Sequence, residues 1–338
     1  MGVDISAIVI SGILTALFVL WLLESSKRKS HPVTGGPQSD RHIAVEASLT
    51  IFANPFSHCS RKVALAAAES GLVHDYKSVH LIETGSYENI APAYLQVNPA
   101  GLLPTLVHDH VPIYESDAIL DYLDRLSDKN SLRPSASEQA AEMQHWIDFC
   151  SIDSANPMGA RSERAGACIP ALTLPLFATM IEEIPLRQIL VGLLFHPDKK
   201  RPAFFLAAKL LGLKKIVNVP PLKAILQATR HHMLAHLKTI DAALASSDGP
   251  WILGAQFSLA DITLGVIYYR LDETGWLAHY REQEPLLAVF AHYAALQARP
   301  SWHTALEARQ LAIIERGSAK LKQAVADDES VRNALYGT

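Results

Sequence analysis

Between Asn54-Pro55 and a run of alanines the sequence reads Phe56-Ser57-His58-Cys59-Ser60-Arg61-Lys62, a hydroxyl and a thiol two residues apart, followed by two cations. A thiol near a helix N-terminus and beside cationic side chains is held as thiolate and becomes nucleophilic. The position three after Cys59 is Lys62, not a second cysteine, so dithiol oxidoreductase chemistry is not expected. Cys59 also fits a plain packing role as a small buried thiol under a helix start. Ser57 is the stronger single candidate, and His58 is expected to be exposed and incidental. A second pair, Glu115-Ser116, precedes the helical run SDAILDYLDRL. A helix opening at Ser116 offers free N–H groups and a positive dipole end to a carboxylate, and Glu115 can accept from an ammonium group. Alone, this pair is an ordinary helix cap. Of His231, His232 and His236, the last two are one turn apart, but no third ligand or HExxH glutamate accompanies them, so no metal site is expected and they read as a solvated helix face.

Periodicity supplies elements to position these residues. Leu49–Ala53 is a short apolar, β-branched run ended by Asn-Pro, the mark of a buried strand. Ser60–Leu72 carries Val63, Ala66 and Ala67 on one face and a glycine stop at Gly71, predicting a helix. Tyr76–Leu81 alternates as a second strand, and Pro92–Gln96 suggests a short helix. Thr105–His108 and Val111–Tyr114 flank Asp109-His110 as a hairpin, and Ser116 is placed to cap the helix that runs to Leu126. The order βαβαββα in so short a stretch is the plan of a thioredoxin-like domain.

These residues resemble the glutathione transferase superfamily across nearly everything after residue 48. Asn98-Pro99-Ala100-Gly101-Leu102-Leu103-Pro104-Thr105-Leu106 is similar to the family's approach to its third strand through a cis-proline, with Pro104 as that proline, and Glu115-Ser116-Asp117-Ala118-Ile119 is similar to the family's Glu-Ser pair. The resemblance implies glutathione as co-substrate. Glu115 and Ser116 would hold its γ-glutamyl end, and the Leu103 backbone would pair with its cysteinyl amide. The Ser57-His58-Cys59 loop resembles the Ser-x-Cys motif of zeta-class members, in which the residue at Ser57 bonds the glutathione sulfur. It is equally similar to the loop of tetrachlorohydroquinone dehalogenase, whose catalytic cysteine falls on Cys59. Both chemistries stay open, with Arg61 and Lys62 expected to stabilise either thiolate. The stretch from Arg133-Pro134-Ser135 to Glu142–Asp148 looks like bacterial β-aryl ether-cleaving members. Phe257-Ser258-Leu259-Ala260-Asp261-Ile262 is a capping box of the kind found in the family's helical domain.

The chain of 338 residues is about half apolar with net charge −4, which fits two domains with additional segments and leaves no basic surplus for nucleic acid. Three scattered cysteines suit a reducing compartment. Residues 4–24 include an uncharged run long enough to cross a bilayer. Asp4 before it and Lys27, Arg28 and Lys29 after it predict a single-pass anchor, N-terminus out, with the soluble domains cytoplasmic. Residues 25–48, rich in Pro, Gly and Ser, read as a flexible tether. The expected organisation is then an α/β thioredoxin-like glutathione-binding domain at 49–128 and an all-α helical domain at 135–317, with a tail at 318–338 expected to be a frayed helix. An insertion at 165–221 holds proline-interrupted apolar stretches, expected to cap the acceptor pocket or pack on the domain. Its segment AFFLAAKLLGLKKIV also has the make-up of an interfacial helix.

The expected activity is a membrane-anchored, homodimeric detoxification transferase that activates the glutathione thiolate for attack on a hydrophobic electrophile. Conjugation, ether cleavage and reductive dehalogenation share that step. The alternatives are a non-enzymatic interaction protein that reuses this fold at a membrane, as in the ganglioside-induced differentiation-associated protein, and a maleylacetoacetate-type isomerase.

Overall fold

The computed structural model describes residues 5–127, 131–153 and 156–337. The expected boundaries at residues 4 and 128 and the final residue 338 lie outside the described residues.

Helix α1 (Ile5–Lys27) is ~34 Å long at 1.5 Å per residue. Its apolar window from Ile8 onward is wholly uncovered by the rest of the protein, so nothing here buries its leucines and isoleucines. Another helix of comparable hydropathy, α6 (Ala165–Met180), is largely buried and is a core helix.

A five-stranded mixed sheet follows, in the order β1-β5-β4-β2-β3, from β1 (Gly36–Pro37), β2 (Leu49–Ala53), β3 (Asp75–Ser78), β4 (Thr105–His108) and β5 (Val111–Tyr114). Strands β2 and β3 are parallel; the other pairs are antiparallel. Ile51, Leu106 and Ile113 are fully buried in this sheet. Helices α2 (His58–Glu69) and α4 (Ser116–Leu126) pack against each other, and the short α3 (Pro92–Val97) falls between them in the chain where its sequence predicts a helix. Gly71 takes the left-handed conformation just past α2, the stop its position predicts. The second strand ends three residues earlier than its alternation suggests, because Val79 turns to bond Ala53 and Asn54.

Residues 25–48 are not a free tether. Gly36 and Pro37 add an edge strand beside Tyr114 and Ile113, and His31, Gln38 and Ile43 donate backbone bonds to Pro99, Pro112 and His110. An unpaired edge of β5 recruits whatever backbone lies near, whatever its composition.

The helical unit comprises α5 (Ser137–Cys150), α6, α7 (Leu186–Phe195), α8 (Lys200–Val217), α9 (Pro220–Ala245), α10 (Leu259–Glu273), α11 (Trp276–Gln283), α12 (Leu287–Gln297), α13 (Pro300–Ala305), α14 (Ala312–Asp327) and α15 (Glu329–Tyr336). Helix α10 is its axis, buried along nearly its whole length. The buried Asp261 carboxylate accepts from the Ser258 and Ile252 N–H groups and meets His292 at 3.0 Å. Helix α6 begins at a close crossing, where a side chain on Gly166 would collide with the Cys150 and Ser151 carbonyls.

The C-terminal stretch is not frayed. Asp328 caps α15, Val331, Ala334 and Leu335 are buried, and Arg230 donates to the Leu335 carbonyl at 3.0 Å. His236 likewise leaves the solvated face expected of it: it is buried, with Nε2 2.7 Å from the Arg161 carbonyl.

The two units are joined by buried charge. Arg61 of α2 forks onto both oxygens of Glu273 in α10, at 2.7 and 2.6 Å, and Gln310 donates to the same carboxylate at 2.9 Å. Burial alone would raise the Glu273 carboxyl, but Arg61 and Arg270 outweigh it and hold it below the ordinary range. Removing one partner of such a pair leaves a buried charge uncompensated. Arg61→Met is expected to cost about 3 kcal/mol in urea unfolding, and Arg61→Met with Glu273→Met to recover a large part of it.

Candidate active site

The reactive turn is set by a buried asparagine and a buried arginine. At the end of β2 the Asn54 amide donates to the Val79 carbonyl at 2.8 Å and to Thr84 Oγ1 at 2.9 Å, while its oxygen accepts from the Phe56 N–H at 2.9 Å. Arg270, from the other unit, donates to the Phe56 carbonyl and lies 3.9 Å over its ring. Burial pulls the Arg270 guanidinium down to about 9, with Glu273 opposing, which leaves it charged at neutral pH. Clamped from both sides, the turn places Ser57 at the N-cap of α2, where its hydroxyl oxygen accepts from the Ser60 N–H at 3.3 Å. Capping occupies a lone pair and leaves the hydroxyl proton free to be donated. Ser57 is half-buried and lines the cleft described below.

Cys59 lines the same cleft, as the second residue of α2. Burial pushes its thiol above the ordinary value, Asp117 and Glu115 add to the shift, and Lys62 and the Ser116 hydroxyl oppose it. At neutral pH it is a thiol. The expected help from Arg61 and Lys62 is largely spent elsewhere: Arg61 faces Glu273, and Lys62 is paired with Asp117. His58 is buried, not exposed, because the first turn of α2 faces α10 and the end of α5. Burial, then Lys62, Arg270 and Arg61, hold its pKa well below 6.5, and the Cys150 backbone opposes them only in part.

Opposite the turn, the Leu103–Pro104 bond is cis. The loop before it is fixed by Tyr94 Oη and Asn98 Nδ2 on the Leu102 carbonyl, at 2.7 and 3.1 Å, and by Asn89 Nδ2 on the Gly101 carbonyl at 2.9 Å. Gly101 sits at φ +67°, where a Cβ would come within 2.9 Å of the Asn89 carbonyl, so glycine is required. Leu103 keeps its backbone N–H and C=O without a partner among the described residues. They form an edge that an extended peptide can pair with.

The helix after β5 is capped differently from the expectation. Glu115, not Ser116, is the N-cap, in the left-handed region at φ 63°, and no side chain caps the first turn. A carboxylate-bearing residue held in a costly conformation ahead of uncapped amides is a feature that functional sites retain. Burial, then Asp117, raise the Glu115 carboxyl above its ordinary value, and Lys62 opposes them only in part.

One cleft of about 580 Å³ brings Ser57, Cys59, Leu103, Pro104, Glu115 and Ser116 together. Its far wall is the helical unit: Ile169, Pro170, Thr173 and Phe177 from α6, and His196 and Arg201 around the α7–α8 turn. Arg201 is tied to buried Glu83 of the thioredoxin-like unit. The lining combines backbone amides and carboxylates with the apolar side chains of Phe56, Ile169 and Phe177; the Arg270 guanidinium lies over the Phe56 ring and that of Arg201 over the Phe177 ring. Residues of α6 and of the turn between α7 and α8 thus line the far wall of the cleft. Asn54, Arg270 and Arg201 were not singled out from sequence. Asn54 alone left a signal, as the polar residue that ends a buried strand.

Residues 56–126 match the family described as glutathione S-transferase, N-terminal domain, and residues 223–308 match its C-terminal domain. Maleylacetoacetate isomerase of Dictyostelium discoideum is 35% identical over 97 residues, 29% of this chain and 44% of that protein. The chain spans under half the length of this and of the plant relatives it matches. The human ganglioside-induced differentiation-associated protein 1-like 1 is 27% identical over 284 residues, covering 77% of this chain and 74% of that protein. Among solved structures, the β-etherase LigF of Sphingobium sp. strain SYK-6 superposes with a TM-score of 0.60 at 19% identity, over 78% of this chain and all of that one.

Because the folded protein keeps His58 neutral and the unfolded chain protonates it below about 6.5, unfolding takes up a proton as pH falls. His279, lowered to about 4 by burial and Arg230, adds to this. Stability measured by denaturant is expected to drop between pH 6.5 and about 4, by up to about 1.4 kcal/mol per pH unit for each group. His58→Asn is expected to flatten part of that fall.

Proposed function

The chain belongs to the glutathione transferase superfamily, and on that premise we propose that it is a glutathione-dependent transferase held at a membrane by α1, with its folded units on the cytoplasmic side. The observation that carries the reading is the convergence, in one cleft, of a free Ser57 hydroxyl, the unpaired Leu103 edge and the uncapped start of α4 behind Glu115. In this reading the glutathione γ-glutamyl carboxylate sits on the first-turn amides of α4 and the Ser116 hydroxyl. Its ammonium pairs with Glu115, relieving the burial and like charge there. The cysteinyl amide pairs with Leu103.

That alignment brings the sulfur to the N-terminus of α2, where the Ser57 hydroxyl donates to it and the helix dipole favours its negative charge. The thiol proton leaves to solvent, and the thiolate attacks an electrophilic carbon, forming a C–S bond as the leaving group departs with its electron pair. The apolar side chains in the lining suit a hydrophobic or aromatic acceptor. Ser57 is favoured over Cys59 as the group that acts on the sulfur, because Cys59 is held as a thiol and lies in contact with Ser116.

Two observations support other readings. The similarity to the human differentiation-associated relative runs along most of the chain, which keeps the non-enzymatic alternative beside the enzymatic one. The isomerase relative favours glutathione-dependent cis–trans isomerisation.

The test is calorimetric titration of glutathione into the full chain, with turnover of an aryl halide. Glu115→Gln is expected to weaken glutathione binding at least tenfold, about 1.4 kcal/mol or more, as a lost charge-assisted bond requires. Ser57→Ala is expected to lower kcat by roughly 10²-fold with affinity little changed, and Cys59→Ser to retain most activity. Affinity for glutathione is expected to decline as pH falls into the raised titration range of Glu115, above the usual carboxylate value. No binding by the unaltered chain would leave the interaction reading.

A further inference from the structure

Helix α7 buries one side against α8 and leaves the other open. Leu186, Leu190 and Leu194, spaced four apart, are 44, 43 and 51% exposed, and Leu210 and Leu211 of α8 are exposed as well. A stripe of leucines at i, i+4 and i+8 on a ten-residue helix is an apolar face ~12 Å long without a protein partner here.

Its position relative to α1 says what covers it. The Arg28 guanidinium, one residue past the end of α1, lies 5.3 Å from the ring of Phe195, the last residue of α7. Three residues on, His31 donates to the Pro99 carbonyl at 2.8 Å. The end of α1 is thus fastened to both rims of the cleft, because His196 and Pro197 follow Phe195 and Asn98 and Ala100 flank Pro99, and all four line it. Exposed Lys27 and Lys29 close α1, and exposed Lys200 opens α8 beside the same turn, a distribution that suits anionic headgroups.

We infer that the Leu186–Leu190–Leu194 face of α7, with Leu210 and Leu211, lies in the surface of the bilayer that α1 enters, and that the cleft takes its acceptor from the lipid side. The inference rests on the anchor reading given above. An apolar face with flanking lysines at the level where a spanning helix leaves the bilayer is the composition of an interfacial helix.

The full chain is reconstituted in vesicles of phosphatidylcholine and phosphatidylglycerol containing a phosphatidylcholine with a photoactivatable acyl chain, irradiated, digested and mapped. Lipid adducts are expected on residues 5–27 and also on 186–194 and 210–211. Leu190→Glu with Leu194→Glu is expected to reduce labelling of 186–211 about tenfold while labelling of α1 stays unchanged. The same double variant is expected to raise KM for a vesicle-dissolved electrophile and leave KM for a water-soluble one alone. Adducts on α1 with none on α7 overturn the inference and leave the anchor reading intact, and chain-to-chain cross-links through α7 in that case assign the face to a second copy. Absence of adducts on α1 overturns the anchor reading, and this inference with it. An equal KM change for both acceptors overturns the route from the lipid.

Discussion

The buried carboxylate of Glu273 anchors the two folded units to each other, beside the Arg201–Glu83 and Arg299–Glu69 pairs that also cross between them. Glu273 accepts the fork of Arg61 from the thioredoxin-like side and lies 3.2 Å from Arg270 on its own helix. Arg270 in turn grips the Phe56 carbonyl at the reactive turn. Two cations and one anion in a space that excludes water have few ways to be arranged, so the cluster fixes α10 against α2. The cleft has one wall in each unit, and this contact, with Arg201–Glu83 on the lining itself, holds the walls together. The charges that looked available to stabilise a thiolate are used to build the site instead.

The chemistry then falls to groups that folding leaves half-used. Ser57 spends an oxygen lone pair on capping α2 and keeps its proton. The first turn of α4 has N–H groups without a side-chain cap, since the residue at the cap is Glu115 in a left-handed conformation. Leu103 keeps a peptide edge open beside a cis bond. In the proposed reading these unspent donors and acceptors match a peptide with a carboxylate, an ammonium group and a thiol. The raised carboxyl of Glu115 belongs to the same account: burial and Asp117 raise it, Lys62 opposes them in part, and in the proposed reading the ligand's ammonium completes the compensation.

Much of this was legible in the residues. Buried strands and amphipathic helices announce themselves by period, so the strands over 49–53, 105–108 and 111–114 and the helix over 116–126 fall where the pattern puts them. Pro104 and the Glu115-Ser116 pair are local motifs, readable without tertiary information. What failed to show depends on contacts distant in sequence. Arg61 and Lys62 read as free cations because Glu273 is 212 residues from Arg61 and Asp117 is 55 from Lys62. His58 read as exposed because nothing nearby reveals that α10 crosses over it. The segment at 25–48 read as loose because its composition is polar, while the pull on it comes from the open edge of β5. The polar stretch after residue 318 conceals Val331, Ala334 and Leu335, too few apolar positions to outweigh the charge around them. Arg270 had no local signal at all.

The account turns on the state of the sulfur in the cleft. The most direct measurement is an ultraviolet titration of thiolate absorbance for glutathione bound to the full chain, beside the same titration with Ser57→Ala. The account predicts that the bound thiol ionises at a clearly lower pH than free glutathione, and that the substitution returns it most of the way. A bound thiol that titrates like free glutathione, or one whose lowered value survives the loss of the Ser57 hydroxyl, would contradict it.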